Sequence, residues 1–157
     1  MRLLLQRVAN ASVTVDGTVV GSIEGGLLIL AGITHGDTLE IGRRMIAKAL
    51  DLRIFEDADG KMNRSLRDLA AETADQWAVL LVSQFTLYAD TRKGRRPSFT
   101  DAAAPDVARE LFDQLVAEVR ASGITCATGA FGAHMSVSLL NDGPVTIMLD
   151  SAEIAPA

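Results

Sequence analysis

Two apolar runs separated by a two-residue turn open the sequence, and they limit the folds that the chain can adopt. The runs RLLLQRVANASVTV and TVVGSI flank Asp16 and Gly17. Asp-Gly is among the dipeptides that most strongly favour a tight hairpin between antiparallel strands. The apolar run LLILAGI (27–33) follows a Gly-Gly pair and is typical of a buried strand. The N-terminal part of the chain therefore predicts a sheet.

The segment DTLEIGRRMIAKALDL (37–52) predicts the first helix. Asp37 and Glu40 lie three residues apart, which is the spacing of a capping box at a helix N-terminus. Small and apolar residues then recur with the helical period, so one face of the helix should be buried. That face comprises Gly42, Met45, Ile46, Ala49 and Leu50.

The segment PDVARELFDQLVAEVRASG (105–123) predicts a second helix. Pro105 suits its first turn and Gly123 suits its C-terminal cap. Apolar residues recur every four positions along it, which predicts a buried stripe. These residues are Val107, Leu111, Leu115 and Val119.

Four further apolar stretches predict strands. They are LRIFED (52–57), WAVLLVSQFTL (77–87), HMSVSLL (134–140) and VTIMLD (145–150). The order of elements predicts a mixed α/β fold of mainly antiparallel strands, with two helices packed on one side. No linker or repeat interrupts the 157 residues, which predicts a single domain over 1–157 with a loose C-terminal tail over 150–157.

The composition argues against several classes of function. A net charge of −5 and a pI near 4.9 argue against a general nucleic-acid-binding surface, and 4% aromatic residues argue against an extended base-stacking platform. A single cysteine, Cys126, predicts a reducing, cytoplasmic setting. No run approaches the roughly 18–20 apolar residues of a membrane helix. One local exception to the acidity is RKGRR (92–96).

No cofactor or metal site is predicted. The sequence lacks the glycine-rich phosphate motifs of nucleotide-binding folds, and it lacks paired cysteines or histidines at zinc spacing. His35 and His134, the only two histidines, are far apart in the sequence, and no nucleophile-elbow pattern supports a Ser-His-Asp triad.

Three short polar motifs remain as candidates for a site. Ser83, Gln84 and Thr86 end a buried strand, where they either bond to neighbouring backbone or orient a carbonyl or a water. NDGP (141–144) is either a plain hairpin loop or a backbone segment that another molecule approaches closely at its glycine. RKGRR is either a solvated loop or a clamp on phosphates. The clamp would use Lys93, Arg95 and Arg96.

Together, SQFTLYAD (83–90), TRKGRRPSF (91–99) and FGAHMSVSLLNDGPVT (131–146) resemble the D-aminoacyl-tRNA deacylases. The segments QRV…ASVTVDG, GLLILAGI…GDT and KMNRSL also match, and the resemblance spans essentially residues 1–150. Its most specific part is the order and separation of SQ-x-T and N-x-GP-x-T. His134 is a departure, because many members carry an acidic residue at this position.

The resemblance implies a barrel-like fold of β/β/α layers and a homodimer with active sites at the subunit interface. It implies hydrolysis of the ester between a D-amino acid, or glycine, and the 3′-terminal adenosine of tRNA. In each pocket, a cis Gly143-Pro144 pair from the partner subunit would leave no room for an L side chain. The implied pocket residues are Ser83, Gln84, Phe85 and Thr86. Arg7 would brace the Gly-Pro pair across the interface, Asn141 would bind substrate near that pair, and Phe131 and Met135 would flank the adenosine.

An aminoacyl ester is already activated, so its hydrolysis needs placement and oxyanion stabilisation more than a strong base. A neutral polar strand end can supply both, while the ribose 2′-hydroxyl of the substrate or a bound water takes part in the reaction. Two alternatives stay open. Thr86 acts as a covalent nucleophile in a general esterase or amidase, or the chain is a non-catalytic oligomeric module that holds RNA through RKGRR.

Overall fold

The computed structural model describes residues 1–73 and 75–154. Its strands are β1 (Arg2–Val15), β2 (Thr18–Ile23), β3 (Gly25–Gly32), β4 (Phe55–Glu56), β5 (Met62–Arg64), β6 (Trp77–Ser83), β7 (Thr125–Thr128) and β8 (Ser136–Asp150). Its helices are α1 (Leu39–Asp51), α2 (Leu66–Glu72) and α3 (Pro105–Ala121), and a 3₁₀ turn covers Phe85–Tyr88. One curled sheet has the order β2-β1-β3-β6-β7 with β8 paired to β1, and β4 and β5 form a separate hairpin.

The N-terminal hairpin confirms the prediction from Asp16 and Gly17. Both residues have positive φ angles, 49° and 78°, which two-residue hairpin loops of the favoured type require. Val15 pairs with Thr18 directly across the turn. β1 is the central antiparallel strand, because β2 and β3 pair with one of its edges and β8 pairs with the other.

The parallel part of the sheet carries the main core. The β3–β6 and β6–β7 pairs are parallel, while all pairs of β1 are antiparallel, so the predicted mixed, mainly antiparallel fold is confirmed. α1 and α3 contact each other and cover one face of this sheet. Leu5, Ile29 and Leu81 lie beneath them and are at most 1% exposed.

α1 buries the five residues that were predicted for it, but its cap differs from the prediction. Thr38 is the N-cap, and its hydroxyl accepts a hydrogen bond from the Ile41 N–H at 3.3 Å. The prediction that Asp37 caps this helix was wrong. Its carboxylate instead binds the α-ammonium group of Met1 at 2.7 Å and accepts the N–H of Thr34 at 2.8 Å.

α3 begins at Pro105, and Gly123 follows it with a φ of 83°, as predicted. The prediction that Val107 is buried was wrong. It lies on the first turn of α3 and is 53% exposed. The sequence analysis predicted two helices, whereas the described residues contain a third, the short α2. Ser65 and Asp68 form a reciprocal capping box at its N-terminus.

A second, smaller core lies on the opposite face of the sheet. It consists of Val8, Ala11, Val13, Ile23, Leu28, Leu80 and Val82. β1 contributes to both cores, because successive side chains of a strand point to opposite faces and because its pairing with β8 shifts register around Val8. Leu3 and Leu5 therefore face the helices, while Val8 and Val13 face the second core.

β8 is an edge strand with an apolar exposed surface. Within the described ranges it pairs only with β1. Its exposed apolar side chains are Val137, Leu139, Leu140 and Met148, of which Leu140 is 57% exposed. Unpaired strand edges of this kind are favourable places for another strand or chain to bind.

The last described residues lie close to the N-terminal residue. Ser151 donates its backbone N–H to the Met1 carbonyl at 2.9 Å, and Ile154 packs against the main core. The predicted loose tail (150–157) includes residues 155–157, which lie outside the described residues. Among the helices of the described ranges, none is both long and apolar enough to cross a membrane.

Candidate functional site

The polar motif at 83–86 lies where β6 leaves the sheet. The strand ends at Ser83, four residues before the predicted end, so the predicted strand was too long. Gln84 donates its backbone N–H to the carbonyl of Ala31, near the end of the parallel neighbour β3, at 2.8 Å. The 3₁₀ turn then brings Phe85 and Thr86 to the surface. The motif therefore forms a turn, not the end of a continuous strand.

A cavity of about 430 Å³ opens beside this turn. It is lined by Ala31, Ile33, Ser83, Gln84, Phe85, Phe99, Ala102, Ala103, Ala104, Pro105, Ala108, Phe131 and Gly132. Ser83 and Gln84 are the only polar side chains among these described residues, and none of the lining side chains is titratable. The cavity is therefore apolar and electrically neutral, with one amide and one hydroxyl at its edge.

Thr86 is tied to Gln84. The side-chain amide of Gln84 donates a hydrogen bond to the hydroxyl oxygen of Thr86. No acid, base or amine lines the described cavity wall that could take the hydroxyl proton. This arrangement orients the hydroxyl but does not activate it as a nucleophile.

Phe131 and Met135, both predicted beside an adenosine, lie in different surroundings. Phe131 lines the cavity, and its ring centroid is 6.0 Å from that of Phe112 on α3. Met135 packs against the second core. Its sulfur would lie 2.7 Å from a Cβ built on Gly129, so Met135 closely covers that part of the backbone.

The NDGP segment (141–144) is not a hairpin loop between two strands. β8 runs through it continuously, and both flanking parts, 136–141 and 146–150, pair with β1. The segment has more residues than the β1 stretch opposite it, so it bulges out of the sheet. The Gly143-Pro144 peptide bond is cis, Gly143 has a φ of 127°, and both residues are exposed.

Two side chains hold the bulge from within the sheet. Arg7 is 6% exposed and donates from Nε to the Asp142 carbonyl at 3.0 Å and from Nη1 to the Ile54 carbonyl at 2.6 Å. Its Nε also lies 3.2 Å from Oδ2 of Asp142. Asn141 accepts the Val145 N–H at 3.1 Å through its side-chain oxygen. The bulge is therefore bonded on both sides of the exposed Gly-Pro peptide.

The bulge and the cavity do not meet within one chain. Neither Arg7 nor any residue of 141–144 is among those that line the cavity. Arg7 and Asp142 instead line a separate depression of about 440 Å³. The two sequence motifs therefore occupy different places on the chain, one concave and one protruding.

The basic segment 92–96 lies in a loop that leads to the cavity wall at Phe99. Arg92 is paired with Asp90, with Nη2 2.8 Å from Oδ2, and this pair lowers the pKa of Asp90 to about 2. The other three cations of the segment form no ion pair with the described residues. These exposed cations are Lys93, Arg95 and Arg96.

The opposite wall of the cavity was not predicted from the sequence. Phe99 meets Phe85 edge to face, with ring centroids 5.0 Å apart, and Ala102–Ala104 complete that wall before α3 begins. The available signal was the aromatic residue and alanine run between a polar loop and a helix. Nothing in that pattern shows that the segment folds back onto the end of β6.

The chain is similar to known proteins over nearly its whole length. The family model described as D-Tyr-tRNA(Tyr) deacylase matches residues 4–150. A D-aminoacyl-tRNA deacylase of Thermomicrobium roseum is 58% identical, covering 98% of this chain and 96% of that protein. One of Chloroflexus aurantiacus is 56% identical, covering 98% and 92%.

Two solved structures have the same fold. The structure described as c-Myc DNA Unwinding Element Binding Protein has a TM-score of 0.86 and 37% identity, and the match covers 100% of both chains. A probable eukaryotic D-amino acid tRNA deacylase has a TM-score of 0.79 and covers 94% of this chain and 97% of its own, at 20% identity. The second likeness shows the fold alone. The chain belongs to the D-Tyr-tRNA(Tyr) deacylase family.

Proposed function

We propose that this protein hydrolyses the ester bond of D-aminoacyl-tRNA, and of tRNA mischarged with glycine, and releases the free amino acid and tRNA. The observation that carries this proposal is the neutral cavity, whose described lining has an amide and a hydroxyl but no titratable side chain. Ester hydrolysis at an activated aminoacyl group requires placement and oxyanion stabilisation more than a strong base. A neutral cavity suits that reaction.

In the proposed reaction, the 3₁₀ turn receives the ester carbonyl. The first N–H groups of a helical turn have no acceptor within the turn, so those of Phe85 and Thr86 can stabilise the oxyanion. A water, positioned by the ribose 2′-hydroxyl or by Gln84, adds to the carbonyl carbon. The bond to the ribose 3′-oxygen then breaks, and the proton from the water passes to that oxygen. Ser83, Gln84 and Thr86 supply geometry and remain uncharged throughout.

The proposed active form is a homodimer, because one copy keeps the cavity apart from the Gly-Pro bulge. β8 presents an edge with exposed apolar side chains, such as Leu140 and Met148. A second copy that covers this strand would bury those side chains and could bring its own bulge to the first copy's cavity. Each active site would then consist of residues 83–86 from one subunit and 143–144 from the other.

The proposed chiral filter is the backbone of Gly143 and Pro144. Gly143 has no side chain, so its peptide can approach a bound amino acid closely. Arg7 and Asn141 hold the surrounding bulge, which makes the backbone a fixed obstacle. An L side chain clashes with such an obstacle whatever its chemistry. Glycine escapes the filter because it has no side chain to exclude.

We further propose that the loop cations bind the tRNA backbone and that the protein acts in the cytoplasm. Lys93, Arg95 and Arg96 are exposed in the loop that leads to Phe99 of the cavity wall, in a chain of net charge −5. Phosphate contacts of this kind orient a nucleic acid without reading its sequence. The single cysteine, Cys126, is free and buried, which fits a reducing compartment.

Release of labelled amino acid from charged tRNA tests the proposed function. D-tyrosine and D-alanine should both be released, while L-alanine should be rejected as firmly as L-tyrosine. Efficient cleavage of an L-aminoacyl-tRNA would contradict the backbone filter. Retention of tRNA without any turnover would instead support an RNA-binding module.

Mixed dimers test the shared site. A Gln84→Ala subunit and a Gly143→Phe subunit should each be inactive alone. After the two are mixed and reassociated, half of the sites in each mixed dimer combine an intact cavity with an intact bulge. Activity should then return to about a quarter of the wild-type value. No recovery, despite proven subunit exchange, would show that each chain works alone.

A further inference from the structure

Arg109, on the first part of α3, lies against the cavity from outside. Its guanidinium carbon is 4.6 Å from the ring centroid of Phe131, and its Nη2 donates to the Phe131 carbonyl at 3.1 Å. No carboxylate within the described ranges forms an ion pair with it. An exposed arginine that is anchored on an aromatic ring, yet has no acidic partner, retains unused donors.

Those donors open onto a groove between α3 and β7. The groove has a volume of about 390 Å³ and shares Phe131 with the cavity. It is lined by Arg109, Phe112, Asp113, Val116, Arg120, Thr128, Gly129 and Phe131. The Phe131 ring therefore separates a neutral cavity from a polar groove that begins with a free guanidinium group.

We infer that Arg109 binds the phosphate group that joins the terminal nucleotide of the tRNA to the preceding one. The inference rests on the proposed function and on the prediction, implied by the family resemblance, that the terminal adenosine lies beside Phe131. A nucleoside on one side of that ring places its 5′ phosphate at the edge of the cavity. Arginine suits this contact, because its planar donors bind two phosphate oxygens at once.

The charges along the groove limit the site to its Arg109 end. Asp113 lies one helical turn after Arg109 on the same face of α3, and its carboxylate repels a phosphate placed farther along. Arg120 lies eleven residues beyond Arg109, about 16 Å along the helix axis. Its Nη2 donates to the Cys126 carbonyl at 3.1 Å. The groove therefore offers one phosphate position next to Phe131.

The test compares two substrates that share the ester and the terminal adenosine but differ in the rest of the tRNA, including the phosphate next to that adenosine. One is D-tyrosyl-tRNA, and the other is the D-tyrosine ester of adenosine, which has no phosphate. Arg109→Gln should raise KM for the tRNA about tenfold more than KM for the adenosine ester. It should also reduce the steepness of log affinity against log salt concentration by about one, which is the contribution of one phosphate contact. Arg109→Lys keeps the charge but loses the planar pair of donors, so it should restore only part of the affinity for tRNA that Arg109→Gln loses.

Two further variants sharpen the comparison. Asp113→Asn removes the repelling carboxylate and should lower KM for tRNA by roughly two- to threefold at low salt. Arg43→Gln is the matched control, because Arg43 is an exposed arginine that pairs with Glu118 and does not line the cavity or the groove. It should change KM for neither substrate.

Equal losses on both substrates would show that Arg109 acts only through Phe131, and would overturn the phosphate contact. Unchanged kinetics for both would overturn it as well. A wild-type protein that cleaves neither ester would instead overturn the proposed function. Direct binding of uncharged tRNA to the same variants would then decide the role of Arg109 on its own.

Discussion

The cavity beside residues 83–86 and the bulge at 141–144 hold their polar groups in opposite ways. The cavity is concave and neutral, and the Gln84 amide and the Thr86 hydroxyl bond to each other. The bulge protrudes, and a buried guanidinium group, that of Arg7, fixes its backbone through bonds to two carbonyls. The first motif forms a turn after its strand ends, whereas the second bulges out of a strand that continues on both sides.

The difference shows how one part of a molecule can position a substrate while another part excludes molecules of the wrong shape. A neutral cavity can receive a substrate of varied shape, because few of its contacts are directional. A backbone segment that is fixed by charge-assisted bonds can exclude by shape, since moving it would break those bonds. Charge is used in this chain to immobilise the bulge and is absent from the cavity lining. The following changes test that division.

Substitution of Gly143 by phenylalanine should have the largest effect. A Cβ on Gly143 would lie 2.8 Å from Cγ2 of Val145 and 3.0 Å from Nη2 of Arg7, at a φ of 127°. The bulge must then shift, so deacylation of D-tyrosyl-tRNA and glycyl-tRNA should fall on the order of a hundredfold or more.

The matched control is Gly17→Phe in the N-terminal hairpin. Gly17 also has a positive φ, but a Cβ there has nothing within 4 Å. This variant should lose some stability and retain its activity per folded molecule. Comparable loss of activity in both variants would show that backbone strain, and not the bulge, is responsible.

Arg7→Gln should weaken the bulge and also destabilise the fold. It removes the hydrogen bonds that the Arg7 side chain donates to the carbonyls of Ile54 and Asp142. That side chain is only 6% exposed. We expect the free energy of unfolding to fall by about 2–3 kcal/mol. Rejection of L-aminoacyl-tRNA should become less complete, because the obstacle becomes mobile.

Chemical denaturation and paired D and L assays measure the two effects. Arg67→Gln is the control, since the exposed Arg67–Asp51 pair should contribute about 1 kcal/mol or less. Full selectivity in Arg7→Gln would show that Asn141 alone holds the bulge.

Thr86→Ala should have a smaller effect on the rate. It removes one acceptor from Gln84 and leaves the cavity lining intact. Activity should decrease about tenfold, far less than the roughly million-fold cost of removing a catalytic nucleophile. Thr86→Ser should restore most of it. A near-total loss together with a trapped acyl-enzyme, detected by mass spectrometry, would establish the covalent alternative.

The double substitution Arg95→Gln and Arg96→Gln should have the smallest effect, because it changes neither the cavity nor the bulge. It should weaken tRNA binding and reduce the salt dependence by about one to two contacts. The ratio of D to L cleavage should stay the same, because phosphate contacts position the substrate without reading its chirality. A changed ratio would place this loop inside the site.

The local features of the fold were predictable from the sequence. The Asp16-Gly17 turn and the buried face of α1 depend on neighbouring residues, and both were predicted correctly. The short α2 was missed, although Ser65 and Asp68 have capping-box spacing with aspartate as the acid. Seven residues are too few for the helical period to stand out.

The parts of the candidate site that were predicted wrongly depend on pairing with residues that are far away in the sequence. The strand predicted over 77–87 ends at Ser83, where Gln84 bonds to Ala31 on a neighbouring strand. The two strands predicted around NDGP are one strand, because β1 pairs with both halves. Neither pairing leaves a trace in the local sequence. The resemblance to a family supplied the candidate residues and implied that the Gly-Pro pair acts from a partner subunit, and the structure added the distance between the two motifs on one chain.

The pairing of β1 with β8 affects the order in which the chain can fold during its synthesis. Thr14 pairs with Ser136 and Arg2 with Asp150, so these contacts join the two ends of the chain. At synthesis rates of about 5–20 residues per second, β1 waits on the order of ten seconds for its partner strand. The helices and the parallel strands can assemble during that interval. A nascent chain therefore contains every residue that lines the cavity before it contains the bulge at 141–144, which is completed last.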